Sequence, residues 1–186
     1  MKTYERLLLQ TRACTRETKD SMPRYLESLA KDRKLEILWI GCSDRRFPAE
    51  VIVNAQPGEI FAHRNIPNQM KATDFDSLSV IQYAVQFLKV SHIIVCDHYN
   101  FGGVKAALRP QSPDLSILKE WLMNLKDIHR IYKTELDGCK TEEQKSNYFS
   151  AINDVERVIR ISHLSIMQSS WSGDKKIPAR LNYFTA

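Results

Sequence analysis

His92-Ile93-Ile94-Val95-Cys96 is a short, near-continuous apolar run that closes on Asp97-His98. Strands that read this way are buried on both faces, the pattern of a parallel sheet covered by helices. A second such run, Leu35-Glu36-Ile37-Leu38-Trp39-Ile40-Gly41, ends at Cys42-Ser43-Asp44-Arg45-Arg46. A third short strand is expected at Ile60-Phe61-Ala62-His63, after the Pro57-Gly58 turn.

Helical spacing fills the intervals. Leu78, Val80, Ile81, Tyr83, Ala84, Val85, Phe87 and Leu88 predict a helix over 74–88. Residues 4–16 and 22–31 read as two more, and Pro23 suits a helix start because its missing N–H has no intrahelical role there. Gly102-Gly103 leads into a helix over 104–108. Leu115, Leu118, Trp121, Leu122, Leu125 and Ile128 predict one continuous helix over 114–136, and a last long one runs from Gln144 to Ser170. Short apolar strands alternating with helices define an α/β fold, a mainly parallel β-sheet flanked by helices. The expected organisation is a single domain over 1–186, with an N-terminal helical arm at about 1–33 and an α/β core at about 34–186.

The chain has 186 residues, 43% hydrophobic and 26% charged, the balance of an ordinary soluble domain. No run approaches the ~18 apolar residues of a membrane span. The start, Met1-Lys2-Thr3-Tyr4-Glu5-Arg6, is no secretory signal, so a cytoplasmic protein without a membrane partner is expected. Cys14, Cys42, Cys96 and Cys139 form no CxxC pair and read as free thiols or ligands. The net charge of +5 is scattered among acidic residues without a Lys/Arg block, so no nucleic-acid partner is expected.

In parallel sheets functional groups gather at the carboxyl ends of strands. Cys42-x-Asp44-x-Arg46 and His98 both fall there. Thiolate, carboxylate and imidazole are the donors zinc prefers, and alternation at 42, 44 and 46 turns three side chains toward one pocket if the segment is extended. A second reading stands beside it: an ordinary buried cysteine followed by an Asp44–Arg46 charge pair, with His98 a hydrogen-bonded structural residue. Cys96 reads as a core residue.

Taken together, Cys42-Ser43-Asp44-x-Arg46, His63-Arg64-Asn65-Ile66-x-Asn68 and His98-x-x-x-Gly102-Gly103-Val104-Lys105-Ala106-Ala107 resemble the β-class carbonic anhydrases. Leu38-Trp39-Ile40-Gly41, Pro57-Gly58-Glu59, Ser79-Val80-Ile81-Gln82-Tyr83-Ala84-Val85 and Ser165-Ile166-Met167-Gln168-Ser169 extend the resemblance, in order and spacing like bacterial members, from near residue 4 to about 171. It implies reversible hydration of carbon dioxide to bicarbonate by a zinc-bound hydroxide, with one zinc per chain. Cys42 and His98 would be zinc ligands, Asp44 and Arg46 the catalytic dyad, and Asp44 a further ligand in a closed state. Trp39, Gly41 and Arg64 would form a bicarbonate-binding pocket. A homodimer or homotetramer is implied, with N-terminal helices wrapping the partner.

Three departures qualify these expectations. The family pattern His-x-x-Cys-Gly-Gly has its cysteine at position 101, where this chain has Phe101, which offers no donor atom. Arg45 replaces a small residue and sets another cation beside the site. Lys176-Ile177-Pro178-Ala179-Arg180-Leu181-Asn182-Tyr183-Phe184 replaces the family's last strand, so that region is expected to be truncated or altered, with a sheet edge open or shared with a partner. Pro178 argues against a central strand and leaves an edge strand possible. The expected activity is carbon dioxide hydration impaired by loss of the fourth ligand. The alternative is a catalytically inactive relative that binds bicarbonate or another anion, or serves as a regulatory partner.

Overall fold

A computed structural model describes residues 2–24, 35–71, 73–98, 102–108, 112–153, 156 and 180–185. The chain divides into two compact units, Met1–Lys34 and Leu35–Ala186. In the first, helix α1 spans Thr3–Ser21, and the Lys2 backbone N–H donates to the Glu5 carboxylate at 2.9 Å to close its start. It runs five residues past the expected end at 16, because Glu17, Thr18 and Lys19 continue the helix until Pro23 approaches. The helix expected over 22–31 lies largely outside the described residues.

The second unit is built on four parallel strands: β1 (Ile37–Cys42), β2 (Ile60–Asn65), β3 (His92–Asp97) and β4 (Arg180–Thr185), in the order β2-β1-β3-β4. Each pairing, β1 with β2, β1 with β3 and β3 with β4, is parallel. The apolar runs that suggested burial on both faces are β1 and β3, the two central strands. β4 pairs with β3 from His92↔Arg180 to Asp97↔Thr185, so the region expected to leave a sheet edge open or shared with a partner supplies an edge strand of its own. Pro178 lies outside the described residues.

Leu38 and Ile40 of β1 and Ile93 and Val95 of β3 point into one buried cluster. Its helical side comes from α3 (Phe75–Gln82) and the π-turn Tyr83–Phe87, through Ile81, Ala84 and Val85. A short helix that the sequence pattern did not announce, α2 (Ala49–Ile52), places Ala49 against Trp39 and Cys96 on the opposite face. After α4 (Gly102–Leu108), the helix expected over 114–136 is broken. A 3-10 turn at Pro113–Leu115 leads to α5 (Ser116–Trp121), α6 (Met123–Ile131) and α7 (Lys133–Asp137). A straight helix of that length would run about 34 Å. Breaks at Leu122 and Tyr132 instead let Leu122, Leu125, Ile128 and Leu136 share one buried cluster with Phe149. Phe149 belongs to α8, described over 142–153; the expected continuation to Ser170 lies outside the described residues apart from residue 156. No helix among the described residues is long and apolar enough to cross a membrane.

Candidate functional site

Parallel register brings the motifs to one end of the sheet. Cys42 is the last residue of β1 and pairs with Asn65, the last of β2, while His98 follows the last residue of β3. Cys42 and His98 are both buried. Between Cys42 and α2 the chain makes a tight turn in which Phe47 N–H donates to Asp44 C=O at 3.1 Å. Asp44 N–H donates to the Cys42 sulfur at 3.2 Å.

The Asp44 carboxylate is turned to Arg46. It accepts from the Arg46 backbone N–H at 2.9 Å, from Nε at 3.0 Å and from Nη2 at 2.7 Å. A bidentate guanidinium of this kind is among the stronger charge-assisted contacts. The side-chain hydrogen bonds of Arg46, and then its backbone N–H, hold the Asp44 carboxyl well below the usual carboxylate range. In return Asp44 pushes the Arg46 guanidinium up. His98 Nε2 lies 3.9 Å from Asp44 Oδ2. Arg45 is exposed in the turn, and the groups acting on Asp44 are Arg46 and, more weakly, His98. The additional cation expected beside the site therefore points outward rather than at the carboxylate.

Phe47 is a site residue that the motif reading missed. Its ring stacks on His98 with centroids 4.1 Å apart and an interplanar angle of 9°, and the Arg46 guanidinium lies over the ring, 5.6 Å from its centroid. The available signal was an aromatic directly after Arg46 and before a proline. Asn68 is a second. It holds a left-handed backbone conformation, φ 60°, that asparagine tolerates, and its amide donates to Cys96 C=O at 2.9 Å, tying the loop after β2 to β3. His63 Nε2 lies 3.1 Å from the Ser77 hydroxyl, which donates to Asp74, so β2 is tied to the start of α3.

Trp39 and Gly41 lie on one face of β1, and Arg64 pairs with Gly41 across the ladder. A Cβ at Gly41 would meet Trp39 Nε1 at 2.8 Å, so glycine makes room for the indole. The Arg64 guanidinium is turned onto backbone: Nε donates to Cys42 C=O at 2.7 Å, and Nη2 to Asp44 C=O at 2.8 Å and Phe47 C=O at 3.2 Å. Phe101 lies outside the described residues.

Among the described residues no group of three or more His, Cys, Asp or Glu side chains is placed to hold a metal ion. Both oxygens of Asp44 are engaged by Arg46. A catalytic zinc takes three protein ligands and keeps one open position. With Asp44 on Arg46 and phenylalanine at 101, Cys42 and His98 are the only donors left from the expected set. That arrangement does not fit a zinc ion.

The fold and this pocket together define a carbonic anhydrase scaffold. The carbonic anhydrase family model matches residues 37–179. A carbonic anhydrase of Emericella nidulans is 40% identical over 169 residues, covering 91% of this chain and 73% of its own length. One of Candida albicans is 45% identical over 91 residues, which are 49% of this chain and 32% of that protein. The solved β-carbonic anhydrase of Aspergillus fumigatus superposes with a TM-score of 0.84 at 29% identity, over 99% of this chain and 86% of that one. A Coccomyxa β-carbonic anhydrase, solved with acetazolamide, gives a TM-score of 0.84 at 26% identity, over 100% of this chain and 83% of that one. The chain belongs to the β-class carbonic anhydrase family. The relatives at 40% and 45% identity are fungal, so the match does not single out the bacterial subgroup.

Proposed function

We propose that this chain is a β-carbonic anhydrase in which zinc loading, and with it the hydration of carbon dioxide to bicarbonate, is strongly impaired. The observation that carries this reading is the bidentate Asp44–Arg46 pair, which withdraws the carboxylate expected to stand in for the thiolate missing at Phe101. A bound zinc would supply the activated water of the family reaction. What this chain's own residues do is narrower: Phe47 fixes the His98 ring plane, and Arg46 holds Asp44 as an anion beside it.

Loss of partners that only orient metal ligands weakens metal affinity by about 10–100-fold, and loss of a ligand itself weakens it further. Wild-type protein purified with zinc present is therefore expected to hold well under one zinc per chain by metal analysis, and to hydrate carbon dioxide weakly in stopped flow. Phe101→Cys is expected to raise zinc affinity by more than about 10-fold and to raise hydration with it. Stoichiometric zinc and full hydration in the wild type would overturn the reading.

As part of the same proposal, the protein is cytoplasmic and homo-oligomeric. Cys14, Cys42, Cys96 and Cys139 are not joined in disulfides, which suits a reducing compartment. A 30% identical relative of Sordaria macrospora, TM-score 0.80 over 98% of this chain and 92% of that one, is described as tetrameric. Light scattering on the purified chain tests the assembly.

A further inference from the structure

Arg64 begins on a rigid base and ends on a loop. Its backbone is held in the β1–β2 ladder opposite Gly41, and the next residue, Asn65, accepts the Ser43 N–H at 3.0 Å. From there the guanidinium reaches three carbonyls, those of Cys42, Asp44 and Phe47. Two of these carbonyls bracket the Ser43–Asp44 pair: that of Cys42 lies in the peptide before Ser43, and that of Asp44 in the peptide after Asp44. Fixing both limits where the Asp44 Cα can sit, and so aims its carboxylate at Arg46. The third tie, to Phe47, fixes the ring that stacks on His98.

We infer that Arg64 is a positioning residue, a clamp that holds the Cys42–Phe47 turn in the shape that presents Cys42, Asp44 and Phe47. The planar fork of arginine suits this task, because its donors diverge and reach acceptors several residues apart. A lysine ammonium is a point charge and cannot span Cys42 C=O and Phe47 C=O together. The clamp also bears on the anion pocket expected from Trp39, Gly41 and Arg64. An anion there reaches only the Nη1 N–H groups unless it pulls the guanidinium off the turn. The inference concerns the backbone of the turn and holds whether or not the chain loads zinc.

Hydrogen exchange on the full-length protein tests it, comparing wild type with Arg64→Lys and Arg64→Gln. Hydrogen bonds to a charged donor correspond to roughly 10- to 100-fold in an opening equilibrium. The Asp44, Arg46 and Phe47 amides are expected to exchange faster by about that factor in both variants, while the Leu38 and Ile40 amides of β1 keep their protection. Equal acceleration at all of these positions would mean simple destabilisation, and no acceleration in the turn would mean a dispensable contact; either result overturns the clamp. In the wild type, which needs no variant to fold, Arg64 Nε–H is expected to exchange at least about 10-fold more slowly than Nε–H of exposed Arg45. Equal rates would overturn the inference. Titration with bicarbonate is expected to leave the Arg64 Nε–H resonance and the turn amides unchanged. A saturable shift of Arg64 Nε–H with loss of protection in the turn would assign the guanidinium to the anion instead.

Discussion

Leu38, Ile40 and Cys42 alternate along one face of β1, yet they enter different surroundings. The first two join Ile93, Val95, Ile81, Ala84 and Val85 in a cluster made of aliphatic side chains and Met70. Cys42 falls into a second cluster, lined by Val104, Leu122, Leu125, Ile128, Leu136 and Phe149 from the helices that follow β3. The helix that delivers Phe149 also buries Ser146, Ser150 and Asn153, and His129 meets Phe149 edge-on at 5.8 Å. The first cluster is an aliphatic sheet–helix interface, with the buried His63–Ser77 contact beside it. The second is a helical layer with polar groups inside it, and the candidate site opens at its border. One region packs the sheet, and the other surrounds the thiol.

The widest separation between the two is expected from Leu38→Ala. Leu38 is fully buried in the first cluster, and truncation there leaves a cavity. Substitutions of this kind destabilise by about 2–5 kcal/mol. Chemical denaturation is expected to report a loss in that range, with the Asp44–Arg46 pair unchanged in a structure of the variant. A loss well below this range would mean that the sheet-centred cluster is not the main support of the strands.

A smaller effect is expected on the opposite face of the same strand. In Gly41→Ala the new methyl meets Trp39 Nε1 at 2.8 Å, and the buried indole must move to admit it. Overpacking of this sort costs about 1–3 kcal/mol. A thermal melt together with Trp39 fluorescence checks it: an unchanged melting temperature and spectrum would show that this face is loosely packed.

These differences also explain what could be read in advance. β1 and β3 were legible because a strand buried on both faces keeps an unbroken apolar run, whereas β2, at the sheet edge, was legible from Ile60-Phe61 after the Pro57-Gly58 turn. Cys42, Asp44, Arg46 and His98 were legible because they lie at strand ends, where register alone gathers them. The breaks at Leu122 and Tyr132 were not, because apolar periodicity continues through both and the bends follow from the curvature of the core. Phe47 was missed because stacking on His98 joins residues far apart in sequence. The inward turn of Arg64 was missed because its acceptors are carbonyls, which every residue carries.

The smallest expected effect sharpens the description of the helical cluster. His129 lies on α6 against the Phe149 ring. Burial, and then the nearby Lys145 and Lys133, lower its pKa from the ordinary value, while Asp137 opposes them. The unfolded chain carries a histidine near pH 6.5. As pH falls through that value the unfolded state takes up the proton first, so the folded state loses relative stability. The stabilisation associated with neutral His129 is thus complete above about pH 6.5 and declines as pH drops toward the lowered folded pKa. His129→Gln removes this titration while keeping a polar side chain of similar reach. Urea unfolding midpoints measured at pH 8 and pH 5.5 are expected to fall further for the wild type than for the variant. An identical fall in both would show that His129 keeps its ordinary proton affinity, and that the helical cluster is as tolerant of charge at its rim as an exposed surface.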